Sequence, residues 1–360
     1  MKNLDNIILI LNNNFNGSYN SNQYFYSEIC RALKILGIKY ISVSNVDDAV
    51  HVFENKNVSF SVCLGRYEYF IDSVPMYEKY CVMNYQWISD NPMKFTIDIK
   101  SKFIKYIFID NQFQMMVGKL ANEPLILPLG YLEEKSKDTD NDRVNGILFP
   151  GQIRSIESIK KEIRRSAVRR KITDFLDKYN LDTSYISAFN NAAIDVDLSD
   201  RWEFFRLTNS YTRTLKRIIA IENIHSVPVY IAGEKTDNNF KNNDVRFIGK
   251  FDYFHIEDVM SKYLYILNVD PNYHSCIHER ISRGINAGAV VFSNENNIVN
   301  HVNNFPYVYR FDNRITIDSI LKNKEFCFSD ALEKEKNFII NTSWTRSLDR
   351  VIKDNEIYQR

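Results

Sequence analysis

Residues 245–296 gather the side chains best suited to chemistry. They read VRFIGKFDYFHIEDVMSKYLYILNVDPNYHSCIHERISRGINAGAVVFSNEN, a succession of strand, glycine turn, helix, strand, polar loop, helix, glycine and strand. The loop 270–275 opens where a strand ends, and the next helix starts just after it. Open α/β sheets place ligands at that position, and the unpaired N–H groups of a helix start favour a diphosphate. His274, Ser275, His278, Glu279 and Arg280 crowd this start. Gly284 and Ala287 are small enough to let the helix pack closely on a sheet.

Other chemistries lack their signatures. The first strand is not followed by G-x-G-x-x-G, and no G-x-x-x-x-G-K-[ST] occurs, which argues against a dinucleotide oxidoreductase and a P-loop NTPase. H-E-x-x-H and G-x-S-x-G are also missing, so neither zincin nor α/β-hydrolase chemistry is expected. The five cysteines, Cys30, Cys63, Cys81, Cys276 and Cys327, are scattered without a C-x-x-C. They read as reduced, buried thiols in a cytoplasmic protein, with no metal site.

The elements that must position these residues are read from hydrophobic period. In the first third, short apolar runs at Ile7–Leu11, Tyr40–Val43, Val58–Leu64, 81–88, 106–109 and 125–127 alternate with helix-length segments. Phe25, Ile29, Leu33 and Leu36 mark the first helix; Asn20 with Gln23 resembles a capping box, and Gly37 is a stop. Residues 132–145, LEEKSKDTDNDRVN, are polar and aperiodic and read as a linker. A second series then follows: strand 147–149, one long helix 158–179, and strands 229–232, 246–248, 265–269 and 289–293. Ile256, Val259, Met260 and Tyr263 form one helical face before the fourth of these strands, and a helix spans 277–287. Trp344, Leu348 and Val351 mark a terminal helix. Alternating strand and helix in both halves predicts an α/β protein of two Rossmann-like domains. The expected division is 1–131, linker 132–145, 146–330, and a helical segment 331–360 packing back across the domains.

The chain has 360 residues, 46 basic against 45 acidic, 44% hydrophobic and 25% charged. This is the composition of a soluble globular protein and excludes disorder and a disulfide scaffold. The balanced charge argues against nucleic acid as a partner, although residues 160–171 carry seven basic side chains against Glu162. That run fits peripheral contact with anionic lipid headgroups, the rival being a solvated helix face. The initial apolar run is too short for a signal peptide or a spanning helix.

The order R-F-I-G-K-F…L-N-V…H-E-R-I-x-x-x-x-N-A-G-A-V-V-F-S resembles the C-terminal domain of GT-B glycosyltransferases, most of all bacterial group-1-type transferases related to the CgeB-like proteins. T-S-W-T-R-S-L-D-R-V at 342–351 is similar to the closing helix of that group. W-I-S-D-N-P at 87–92 and L-P-L-G at 127–130 resemble its D-H-P and P-H-G signatures. The resemblance implies two Rossmann-like domains facing a cleft, with a C-terminal helix returning to the first. It implies sugar transfer from a nucleotide-sugar to a glycan, lipid-linked or other acceptor, with no metal or cofactor, in bacterial surface-glycan or glycoconjugate biosynthesis. An epimerase of the same fold, or a GT-B-derived binding protein without turnover, are the alternatives.

The resemblance also distributes roles. Glu279 would accept hydroxyls of the ribose or the sugar; ordinary stabilisation of a helix start is its rival reading. His278 and Arg280 would clamp phosphate or sugar, with His274 and Ser275 beside them, or lie solvated at the surface. Gly151 and Arg154, in L-F-P-G-Q-I-R, would approach the donor phosphates, and Lys250 would contact the base or phosphate side. Asp90 would be the general base for the acceptor hydroxyl, or else a turn aspartate. Arg283 stands where retaining members of the group often place a glutamate, so stereochemistry stays open.

Overall fold

The computed structural model describes residues 7–12, 20–65, 69–89, 92, 97, 99–132, 142–241, 244–269, 272, 277–294, 307–312, 314–326 and 341–358. Asp90, His274, Ser275 and most of the expected linker 132–145 lie outside them. The chain divides into two compact units, residues 1–133 with 340–360, and residues 134–339.

In the first unit, strands β1 (Ile7–Leu11), β2 (Tyr40–Val43), β3 (Val58–Leu64), β6 (Met83–Ile88), β7 (Ile104–Phe108) and β8 (Leu125–Ile126) form a parallel sheet. Its order is β2-β1-β3-β6-β7-β8, and a small antiparallel hairpin of β4 (Phe70–Ile71) and β5 (Val74–Pro75) lies between β3 and β6 in sequence. Every residue of β1 and of β7 is buried, as expected for parallel strands covered on both faces. Helix α1 (Ser21–Ile35) buries Phe25, Ile29 and Leu33, and the chain leaves it through Gly37 at φ +71°. The capping box does not form. Asn20 sits in the left-handed region at φ 55°, and its side chain makes no capping hydrogen bond, because such a bond needs an extended N-cap backbone. Helix α2 (Val46–Asn55) has a working cap: Asn45 is extended and accepts from the Asp48 N–H. Short helices α3 (Met76–Lys79) and α4 (Gln114–Val117) complete this part.

The C-terminal helix, α12 (Trp344–Tyr358), belongs to this unit. Buried Glu28 on α1 accepts from the Trp344 indole at 3.0 Å and from the Leu132 N–H at 3.0 Å. The Trp344 ring also lies so close to Gly130 that a Cβ there would sit 2.6 Å from it. The glycine of L-P-L-G is thus a packing requirement. Farther along α12, Asp354 accepts from Lys105 Nζ at 2.6 Å and from the Tyr85 hydroxyl at 2.8 Å.

The second unit has strands β9 (Val144–Phe149), β10 (Val229–Ile231), β11 (Val245–Phe247), β12 (Tyr263–Asn268), β13 (Val290–Ser293) and β14 (Val308–Arg310) in a parallel sheet ordered β11-β10-β9-β12-β13-β14. Its core gathers Ile147, Phe149, Val229, Ile231, Leu267 and Phe292 from the strands.

Three expectations change here. The long helix 158–179 is two helices, α5 (Ile156–Arg165) and α6 (Arg169–Lys178). Ser166 turns extended between them and its hydroxyl accepts the Val168 N–H, a local bond that competes with the helical ladder. Tyr263 begins β12 instead of ending a helix, since α9 (Ile256–Met260) stops earlier. Between 179 and 229, which the periodicity left unread, stand α7 (Tyr185–Ala193) and the 25-residue α8 (Leu198–Glu222). The remaining α-helices of this unit among the described residues are α10 (Glu279–Asn286) and α11 (Ile317–Asn323).

Candidate functional site

The second sheet has a defined place for a ligand. β9 and β12 are neighbours. The chain leaves β9 towards β10 on one side and leaves β12 towards β13 on the other. The crevice outside their carboxyl ends is the topological switch point of a doubly wound sheet.

Two glycines shape the β9 rim. A Cβ on Gly233, after β10, would lie 2.9 Å from the Gly151 carbonyl, and one on Gly151 would lie 3.5 Å from a guanidinium nitrogen of Arg280. Helix α10 forms the β12 rim. Its Gly284 has no room for a side chain, because a Cβ would come within 2.8 Å of Val291 and 3.3 Å of Ile266. At the far end, Arg143 donates to the carbonyls of Ala287 and Gly288 at 2.8 and 2.7 Å, capping the helix with a cation where its dipole is negative. In the loop before α10, Asn272, in the left-handed region at φ 73°, donates to Asn209 and Thr212 of α8 at 2.8 and 2.9 Å.

Cations gather at this crevice. The Arg280 guanidinium lies over the Phe149 ring, 5.4 Å from its centroid, and donates to Asn268 Oδ1 at 3.3 Å. Asn268 is held in turn by Ser293 at 3.0 Å. Arg217, from α8, also lies 5.4 Å from the Phe149 centroid and donates to the Gln152 carbonyl at 2.6 Å. Arg213 precedes it by one helical turn, and its Nε is buried without a hydrogen-bond partner among the described residues. His278 is the N-cap of α10, its Nδ1 accepting the Arg280 N–H at 3.2 Å, which leaves the proton of the neutral ring on Nε2. Burial pushes the His278 pKa well below the ordinary value, and the positive fields of Arg280, Arg217 and Arg213 push it further. One imidazole thus lies in the field of three guanidiniums, so positive charge is concentrated at this crevice.

Glu279 stands beside it, its side chain 11% exposed. Its Oε1 is 3.6 Å from His278 Nδ1 and its Oε2 is 3.4 Å from Nε of fully buried Arg283, which also pairs with Glu257. Arg283 lies over the Tyr253 ring. Burial and the neighbouring Glu279 carboxylate raise the Tyr253 phenol well above its usual range. Arg283, in the position where the resemblance leads one to look for a carboxylate, instead holds two of them.

Gly151, His278, Glu279 and Arg280 are therefore brought together in one unit. Lys250 reaches this group indirectly. Its Nζ lies 2.5 Å from Glu234, whose N–H donates to Gln152. Arg154 is held by other partners, donating to Ser210 at 2.8 Å and pairing with Glu162, which also binds Arg206 at 2.7 Å. Burial raises the Glu162 pKa, and the hydrogen bonds from Arg206 and Arg154 overcome it, so the net shift is downward. Asp90, His274 and Ser275 lie outside the described residues. Arg213 and Arg217 were not among the expected residues. The readable signal is Arg206, Ser210, Arg213 and Arg217, at steps of four, three and four along one helical face. Among the described residues no three His, Cys, Asp or Glu side chains converge as metal ligands, and no helix is long and apolar enough to cross a membrane.

No family model matches the sequence, and no curated protein matches it. Solved structures do. AviGT4, a glycosyltransferase involved in avilamycin A biosynthesis, matches with a TM-score of 0.56 at 9% identity, over 98% of this chain and 97% of that one. The T4 phage β-glucosyltransferase matches with a TM-score of 0.55 at 12% identity, over 96% and 98%. An α-glucosyltransferase in complex with UDP and a 13-mer DNA matches with a TM-score of 0.56 at 9% identity, over 97% and 98%. At such identities the likeness is one of fold, and the fold of this chain is GT-B.

Proposed function

We propose that this GT-B chain is a glycosyltransferase that takes its sugar from a nucleotide-sugar. The observation that carries the reading is the set of three guanidiniums, Arg213, Arg217 and Arg280, at the switch-point crevice beside the start of α10. A diphosphate needs that chemistry: fixed cations with several N–H donors each, next to a helix N-terminus. Arg280 and Arg217 are pre-positioned by Phe149, Asn268 and the Gln152 carbonyl, so little reorganisation is needed as charge develops on the departing diphosphate. Glu279, oriented by Arg283, would accept hydroxyls of the ribose or the sugar. Lys250 would face the nucleoside side from the rim, and Gly151 would let the diphosphate approach the backbone.

The acceptor in this reading is a glycan or a lipid-linked saccharide, its hydroxyl deprotonated by a base for which Asp90 is the first candidate. In this reading the guanidiniums, without a metal, would hold the diphosphate. The finer assignment to CgeB-like, group-1-type transferases of bacterial surface-glycan assembly is supported by the H-E-R-I helix and the T-S-W-T-R-S-L-D-R-V segment.

The test is thermal stability across a panel of nucleoside diphosphates and nucleotide-sugars. A ligand that binds only the folded chain at a hundred times its Kd stabilises it by about 2.7 kcal/mol. Stabilisation by at least one nucleotide-sugar is expected, and failure of every nucleotide to stabilise the protein sinks the proposal. Product formed from donor with no acceptor would point to epimerisation. Binding without transfer or hydrolysis would point to a non-catalytic relative.

A further inference from the structure

Away from the crevice, the α5–α6 junction concentrates positive charge with no role in the site above. Arg164 and Arg165 end α5, Arg169, Arg170 and Lys171 begin α6, and all five are exposed. Arg164, Arg165, Arg169 and Arg170 have no carboxylate partner among the described residues. The helix dipole favours Arg164 and Arg165 at the end of α5 but disfavours Arg169 and Arg170 at the start of α6, whose first turn has no acidic residue. The acidic residues of α6, Asp174 and Asp177, lie farther along the helix.

Two exposed apolar side chains flank the α7–α8 turn. Lys171 Nζ donates to the Asp195 carbonyl in the α7–α8 turn, which brings that turn beside the basic junction. Ile194, at the end of α7, is 73% exposed, and Trp202, on the first turns of α8, is 37% exposed and stacked on Phe205. Isolated exposed apolar residues are ordinary. An isoleucine and an indole on a turn tied through Lys171 to a segment of exposed arginines form an interfacial pattern, in which cations meet headgroups and the apolar tips enter the acyl boundary, although Asp195, Asp197 and Asp200 lie between the two in sequence.

We propose that the α5–α6 junction and the α7–α8 turn together dock this protein peripherally on an anionic lipid bilayer. Arg164, Arg165, Arg169 and Arg170 supply the attraction, and Ile194 and Trp202 insert. Nucleic acid offers the same charge, but its phosphate backbone has no use for an exposed isoleucine, so lipid is the occupant the surface favours.

The protein carries its own probe. Of its three tryptophans, Trp87 and Trp344 are fully buried and only Trp202 is exposed. The full-length chain is mixed with phosphatidylcholine vesicles, with or without a third of phosphatidylglycerol, and with brominated acyl chains as quenchers. Binding to the anionic vesicles alone, with quenching of tryptophan emission, is expected. The variant R164A/R165A/R169A/R170A should lose roughly 1,000-fold in vesicle affinity while keeping its thermal midpoint and its nucleotide binding. Ile194→Asn should weaken binding several-fold, and Trp202→Phe should abolish the quenching while vesicles still bind. No binding to anionic vesicles overturns the proposal. So does binding without quenching, or tight binding to DNA with none to vesicles.

Discussion

At the scale of single residues, the crevice is defined by three guanidiniums whose fields converge on one imidazole. Arg280→Ala removes a guanidinium held between Phe149, Asn268 and the Gly151 backbone. It should weaken nucleoside diphosphate binding about 10- to 100-fold, the worth of one charge-assisted contact, and calorimetric titration would read it. Arg213→Ala should cost a similar factor, since its buried Nε has no protein partner among the described residues to satisfy; unchanged affinity for either variant would remove that residue from the phosphate clamp. His278 gives a pH signature. Its folded pKa is lowered by burial and by three arginines, so above the ordinary imidazole pKa of about 6.5 it is neutral in both states. As pH falls below that, only the unfolded chain takes up the proton. Stability therefore declines by up to ~1.4 kcal/mol per pH unit until the folded pKa is reached. Asparagine keeps an N-cap acceptor and does not titrate. His278→Asn should flatten the decline in urea midpoints between about pH 7 and pH 5, whereas an unaltered slope would assign the acid sensitivity elsewhere.

At the scale of elements, α10 is the part that must not move. Its seat on the sheet depends on the missing side chain of Gly284, and its far end on Arg143. Gly284→Ala inserts a methyl group against Val291 and Ile266, and should destabilise the chain by about 1–3 kcal/mol in denaturant unfolding. Displacement of the helix start should also weaken nucleotide binding, although residue 284 lies more than a turn from His278. The element boundaries show what period alone can read. β1, β3 and the α10–β13 segment were legible because continuous apolar runs and a terminating glycine are local signals. The α5–α6 break was not, because it depends on a serine hydroxyl bonding to the backbone. α8 also went unread, since buried Thr208, Thr212, Lys216 and Arg217 line faces that look polar in sequence.

At the scale of the whole molecule, the chain end closes the first unit. Trp344 is fully buried against Trp87 at 4.9 Å, over Gly130, with its indole bonded to Glu28. Trp344→Ala should cost roughly 3–5 kcal/mol, the range for deleting a large buried aromatic. Asp354→Ala would leave Lys105, whose side chain is 6% exposed, without its close carboxylate, and a loss of about 3–5 kcal/mol is expected in urea denaturation. A truncation before residue 341 should lose the cooperative transition of the first unit. If the shortened chain unfolded with its midpoint intact, α12 would be an appendage and not a structural member.

The sequence by itself determined that this is an α/β protein with two doubly wound halves, and it marked the start of the helix after 277 as the candidate ligand site. Both follow from local information: strand and helix periods, glycine stops, and the polarity of a helix terminus. Gly151, His278, Glu279 and Arg280 were legible because they flank such ends. Only the tertiary structure decided that Arg217, some 60 residues earlier in sequence, shares the Phe149 ring with Arg280, and that Arg213 and Arg217 both bear on His278. It also decided that Arg154 is held by Glu162, that Arg283 balances two carboxylates, and that the terminal helix belongs to the first unit. The physical reason is common to all of these. A charge is placed by what it pairs with across the fold, and the strand order that brings β9 beside β12 is set by packing between elements far apart in the chain.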